Sequence, residues 1–251
     1  VAEVSTTGRV RSITVPGHAY GFPGVAFGGY LAGLLAREFP GLPAKVSFRR
    51  PTPVGRPVEL RDAGHGTREL ADGSGALATA RPCEPVRAPE RVPERVPEWR
   101  EAERAVRRQA ADGPLNGGDC FACNTGRPIG RGLRQLFAPL PEASQSVALW
   151  TPDPQLAPDA EELPVELVWA GLDCPGGWVS RLFGGAPVQT VTASLAATVL
   201  RPVRIGVEHL VLGWPVTSSG RKHLVGSAIL TRDGELCASA EALWLTPGRA
   251  V

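Results

Sequence analysis

The order of short motifs repeats along this 251-residue chain, and that repeat constrains its folding more than any single segment does. In the first half, "AFGGYLAGLLA" carries Gly28-Gly29, "SFRRPTPVG" carries Arg50-Pro51 and Gly55, and "ELADGSGALATA" carries Asp72-Gly73. In the second half, "DCPGGWVSRLF" carries Gly176-Gly177, "VLRPVRIG" carries Arg201-Pro202 and Gly206, and "LTRDGELCASA" carries Asp233-Gly234. The glycine follows the Arg-Pro proline by four residues in both halves. Landmarks of this kind in one register indicate an internal duplication, so the fold must be one that a half-length unit can build.

Each unit reads as one helix followed by antiparallel strands. Tyr30, Leu31, Leu34, Leu35 and Phe39 fall close to a single helical stripe. "AKVSFRRPTPVGRPVELRDAG" alternates as strands do, and Asp72-Gly73 and Asp233-Gly234 each mark a hairpin turn. In the second unit "GGWVSRLF" predicts a helix that opens at Gly176-Gly177. A helix with one apolar stripe must bury it, and a curved sheet wrapped around the helix does so. Two such units can set their sheets edge to edge and protect the strand edges they share. The expectation is an α+β double hotdog, two tandem helix-wrapped antiparallel sheets in one chain. Residues 1–80 form the first half and 112–251 the second. Between them, "RPCEPVRAPERVPERVPEWR" alternates proline with charge, which excludes a regular helix or a central strand. Residues 81–111 are therefore expected to be an extended connector ending in a short helix over "EWREAERAVRRQAADG".

Composition narrows the function by exclusion. A net charge of only +2 argues against nucleic acid as a partner. No apolar run approaches the roughly 20 residues that cross a bilayer, and "VAEVSTTGRVRS" has no apolar core of a secretory signal. A cytoplasmic location without membrane partners is expected. Five cysteines, an odd number, read as free thiols rather than a disulfide framework. Cys120 and Cys123 form a lone C-x-x-C, two ligands where structural zinc takes four, so neither metal nor cofactor is expected. No phosphate-binding or dinucleotide-binding glycine motif occurs.

The residues that can carry chemistry cluster at the second double glycine. Asp173 precedes Pro175 and Gly176-Gly177, whereas the first unit has Val25 in the corresponding place. A carboxylate there can hold or deprotonate water, while Gly176-Gly177 or Gly28-Gly29 offer backbone N–H groups and a helix dipole to a developing oxyanion. The alternative is that Asp173 caps the second helix, which Asp does well. No histidine stands in recognisable pairing with Cys174, which weakens it as a nucleophile. Arg127, Arg131 and Arg134 lie among glycines in "NTGRPIGRGLR" and are candidates for phosphate contact.

"AFGGYLAGLLA" with "SFRRPTPVGRPVEL", and "TASLAATVLRPV" with "TRDGELCASAEALW", resemble the double-hotdog acyl-CoA thioesterases. "DCFACNTGRPIGRGL" and "VWAGLDCPGG" resemble segments of a little-characterised actinobacterial hotdog group. The resemblance implies hydrolysis of an acyl-CoA or acyl-carrier-protein thioester, with an Asp, a Thr or Ser, and a Gln positioning water. Asp173 and Thr192 match the first two, while the Gln position falls on Ala242 beside Glu241. The missing Gln leaves room for a non-catalytic acyl-thioester binder. A hydratase or dehydratase that pairs His18 with Asp173 across the halves is the remaining alternative. One chain supplies the usual hotdog pair, and further assembly into a homodimer is left open.

Overall fold

Residues 10–86, 96–113 and 118–248 are described by a computed structural model. In the first half, β1 (Arg11–Thr14), β2 (Tyr20–Phe22) and β3 (Val25–Ala26) precede α1 (Gly28–Ala36). β4 (Ala44–Phe48), β5 (Pro57–Asp62), β6 (Arg68–Asp72) and β7 (Gly75–Pro82) follow it. After α2 (Trp99–Asp112) come β8 (Ala138–Leu140), β9 (Gln145–Trp150) and α3 (Val165–Gly184). β10 (Val191–Val199), β11 (His209–Ser219), β12 (Lys222–Thr231) and β13 (Leu236–Leu245) complete the chain.

The strands form one continuous antiparallel ladder rather than two sheets. Its order is β1-β5-β6-β7-β4-β10-β13-β12-β11-β9-β8, with β2 and β3 paired separately. The halves join where β4 pairs with β10, Ala44 opposite Ala197 and Ser47 opposite Ser194. Both expected hairpins are present, with Asp72 opposite Gly75 in one and the Gly234 N–H bonded to the Thr231 carbonyl in the other. Along β5, buried Val58 and Leu60 alternate with exposed neighbours, so this part of the sheet has one wet face. Seven of the ten residues of β12 are buried because both its faces are covered. α3 lies on one face, and Ala102 and Ala105 of α2 pack with Leu210, Leu212 and Trp214 on the other.

The second helix corrects the sequence reading. It opens after Pro164 and runs through Pro175, so Gly176-Gly177 lie in its interior rather than at its mouth. Every residue from Leu167 to Ser180 is buried. Pro175 brings no N–H to the helix ladder, but two strand hydroxyls grip this stretch from the sheet. Ser227 Oγ donates to the Leu172 carbonyl at 2.6 Å and Ser146 Oγ donates to the Pro175 carbonyl at 3.1 Å. The connector also differs in detail, since β7 continues through Arg81-Pro82. Its centre, residues 87–95, lies outside the described residues. α2 ends at Gly113, where φ is +90°, as the closing glycine of that segment predicts.

α1 and α3 pack antiparallel at very short range, Gly29 facing Ala170 and Asp173 while Gly33 faces Glu166 and Trp169. A Cβ at Gly33 would lie 2.3 Å from the Glu166 Cα, and one at Gly29 would lie 2.6 Å from the Asp173 Cβ. Neither neighbour can yield without moving helix backbone. Gly33→Ala is therefore expected to lose roughly 1–3 kcal/mol as the helices are forced apart. Gly17→Ala, where nothing lies within 4 Å, serves as the neutral control. Equal denaturant midpoints for the two variants would show that the helices separate without cost.

Candidate active site

The sequence of α1 leaves its N-terminus unsatisfied. Phe27 at the N-cap offers no side-chain acceptor, and the first turn contains no acid. The missing acceptor comes from α3: Asp173 Oδ2 accepts the Gly29 N–H at 2.7 Å. Its other oxygen, Oδ1, accepts the Thr192 hydroxyl at 2.8 Å. Thr192 stands at the start of β10, where the pairing with β13 shifts register between Thr192 and Ser194. Such bulges re-aim side chains. The carboxylate thus caps a helix, but the helix of the other half and not its own.

Asp173 is 1% exposed. Burial pushes its carboxyl up to about 7, while the Thr192 hydroxyl and the Gly29 N–H pull the other way. The positive end of the α1 dipole adds to that pull. Gly28 is the neighbouring piece. Its ideal Cβ would sit 3.1 Å from Asp173 Oδ2 and 3.6 Å from the Thr192 Cβ. Its N–H makes no hydrogen bond among the described residues. The double glycine of α1 is therefore divided, with Gly29 holding the acid and Gly28 left as a free donor beside it.

These groups line a cavity of about 610 Å³ between the halves. Phe27, Gly28 and Phe48 come from the first half, and Asp173, Trp178 and Thr192 from the second. The walls are largely apolar, and Arg49, Arg50 and Arg181 stand among the lining residues. Arg50 is committed to Asp72 and to the carbonyls of Gly75 and Ala76. Arg181 donates to the Val188 carbonyl at 3.0 Å and lies over the Trp178 ring. Arg49 is exposed. Sequence reasoning missed this basic rim, although "SFRRP" places two arginines directly after the strand that borders the seam.

Several sequence expectations are corrected. Gly176 and Gly177 are interior to α3 and face Val225 and Trp244, so their N–H groups are not a free oxyanion pair. Arg127 is a cross-brace rather than a phosphate ligand. Its side chain is 5% exposed, its donors go to Asp119 and to the carbonyls of His18, Asp119 and Arg131, and it stacks 4.2 Å over Tyr20. Arg134, at φ +56°, donates to the Thr125 carbonyl outside the cavity. Arg131 approaches His18 at 3.4 Å, and both line a second cavity with Tyr30 and Glu166. His18 is therefore not the partner of Asp173, whose contacts are Gly29 and Thr192. Ala242 is buried between β10 and β12 and supplies no polar group. Cys120 and Cys123 do find a further sulfur, since Cys174 of α3 joins them within 4.8 Å. The premise that no more ligands stand near the C-x-x-C is revised.

No family model matches the chain, and no curated protein matches it in sequence. Solved structures do match over nearly its whole length. The TesB protein of Mycobacterium avium subs paratuberculosis is 16% identical, covers 95% of this chain and 93% of its own, and has a TM-score of 0.59. A conserved protein of unknown function with hot dog fold from Alicyclobacillus acidocaldarius is 16% identical over 98% of this chain and 96% of that one, with a TM-score of 0.59. Acyl-CoA thioesterase II TesB2 from Mycobacterium marinum is 16% identical over 99% and 96%, with a TM-score of 0.52. Likeness at these identities is likeness of fold: the chain has the hotdog fold.

Proposed function

We propose that the Asp173 cavity hydrolyses an acyl-CoA or acyl-carrier thioester. The observation that carries this reading is the junction of Asp173, Thr192 and the N-terminus of α1 at one cavity wall. Water held by Asp173 attacks the thioester carbonyl carbon. A carbon–oxygen bond forms, and the Gly28 N–H with the α1 dipole stabilises the oxyanion. The carbon–sulfur bond then breaks, and the proton taken up by Asp173 passes to the leaving thiolate. Thr192 fixes the carboxylate in place. Phe27, Phe48 and Trp178 offer apolar surface to the acyl chain, while Arg49 and Arg181 offer charge to the phosphates of the carrier. The chain shares its fold with a protein named as an acyl-CoA thioesterase, TesB2 of Mycobacterium marinum. Both cavity walls come from one chain, so the site needs no second copy.

A binder without turnover is the second reading, favoured by one observation: Ala242 stands where the thioesterase resemblance expects a Gln. A panel of acyl-CoA substrates followed by thiol release and mass spectrometry separates the two. Asp173→Asn keeps an oxygen for the Gly29 N–H, and the Thr192 hydroxyl can turn to accept from the amide. It is expected to lose at least about a hundredfold in turnover, about 2.7 kcal/mol, with little change in melting temperature. Asp173→Ala leaves the Gly29 N–H buried without a partner and is expected to lose roughly 1–3 kcal/mol of stability as well. Asp173→Asn turning over within tenfold of wild type would remove Asp173 as the base. Tight acyl-CoA binding by a wild type without turnover would establish the binder.

The rim arginines have a separate signature. Arg49→Ala is expected to raise KM for an acyl-CoA severalfold and leave kcat unchanged. An N-acetylcysteamine thioester, which carries no phosphate, is expected to show no difference. An equal KM effect on both substrates would mean that Arg49 acts through packing.

A further inference from the structure

Three thiols converge at the wall of the Asp173 cavity, and the reaction described above uses none of them. Cys120 and Cys123 lie on the loop after α2, Cys174 lies on α3 beside Asp173, and their sulfur atoms are all within 4.8 Å of one another. All three residues are buried, and all are free thiols. A thiol is a weak hydrogen-bond donor, so clustering three of them gains little by itself.

The loop is arranged as a claw. Cys120 Sγ accepts the Ala122 N–H at 3.4 Å, a contact that favours an anionic sulfur. Backbone bonds hold the claw against the first half and against itself. The Phe121 N–H goes to the Tyr20 carbonyl, the Leu133 N–H to the Phe121 carbonyl and the Gln135 N–H to the Ala122 carbonyl, each at 2.9 Å. Zinc–thiolate bonds of about 2.3 Å in tetrahedral geometry put sulfurs about 3.8 Å apart, within the spacing found here. Thiolate-only donors select soft or borderline ions, zinc first among the divalent ones.

We propose that Cys120, Cys123 and Cys174 bind one zinc ion through three thiolates, its fourth position open to the Asp173 cavity. Loading releases three thiol protons to solvent and leaves the site with a net charge of −1. No carboxylate oxygen joins the three sulfurs within that distance among the described residues, so the fourth ligand is water or a thiol that enters the cavity. Three protein ligands and one open position characterise reactive rather than purely structural zinc. The ion would also pin the 118–137 loop to α3. The site stands on its own residues, whether or not the cavity hydrolyses a thioester.

The test uses the full chain, purified under reducing conditions from zinc-supplemented medium without a metal-affinity tag. Elemental analysis is expected to return one zinc per chain. After chelation, cobalt(II) is expected to restore one equivalent of binding with thiolate-to-cobalt charge-transfer bands and tetrahedral d–d absorption, both abolished by added zinc. Cys174→Ser is expected to weaken cobalt binding at least tenfold, while Cys83→Ser leaves it unchanged. If Cys174→Ser fails to fold, the wild-type cobalt spectrum decides. Reduced wild type that retains no zinc and gives no thiolate bands at saturating cobalt would overturn the proposal. Recovery of copper in place of zinc would overturn it equally.

Discussion

The close approach of α1 and α3 is the constraint on which the remaining geometry depends. Gly29 and Gly33 let the two helices come together at distances that any Cβ would forbid. Only at that range does the Asp173 carboxylate reach the Gly29 N–H. The contact serves packing and electrostatics together, since α1 has no cap of its own and Asp173 supplies one. Thr192 can hold the second oxygen because β10 follows α3 and returns to the seam between the halves. Apolar burial on both faces of the sheet fixes α3, and α3 fixes the acid.

Features written in neighbouring residues were legible from the sequence. The Asp-Gly hairpins are local, because two turn residues and the alternation around them determine the pairing. The apolar stripe of α1 and the alternation of the strands that follow it are likewise local. The "DCPGG" segment misled for the same reason: Pro-Gly-Gly has turn chemistry, and only burial on every side keeps it helical. A better signal lay upstream, where Pro164-Val165-Glu166 opens a run of apolar residues at helical spacing. The Asp173–Thr192 pair was reached through resemblance and counting, but the Asp173–Gly29 bond spans 144 residues and has no local trace. Arg127 looked like a phosphate ligand because a glycine-rich loop surrounds it. Its burial over Tyr20 depends on how that loop folds back onto the first half. Cys174 likewise joins the C-x-x-C only after α3 is in place.

The two helix entrances differ chemically despite the repeated motifs. α1 begins at the cavity, with Gly28 free and Gly29 engaged. α3 begins far from its own double glycine, behind Pro164, and brings its middle to the same wall. One site with unlike contributions from each half results, and neither half alone contains both the acid and the donor beside it. The 118–137 loop strengthens that interdependence, because Phe121 packs among His18, Phe27 and Tyr30 of the first half.

The seam between β4 and β10 bears on how the chain assembles. Until these strands meet, each is the bare edge of its own group of strands, with backbone donors and acceptors unpaired. Their partners are some 150 positions apart, Ala44 with Ala197 and Ser47 with Ser194. Pairings of such separation form late, because loop closure precedes any gain from contact. During that interval a second copy can offer the same complementary edge. The exchange would give a swapped dimer whose seams repeat the intramolecular one, residue for residue. Crowded synthesis favours that product and dilution favours the closed monomer, so the edge that completes the cavity is also where two chains can become entangled.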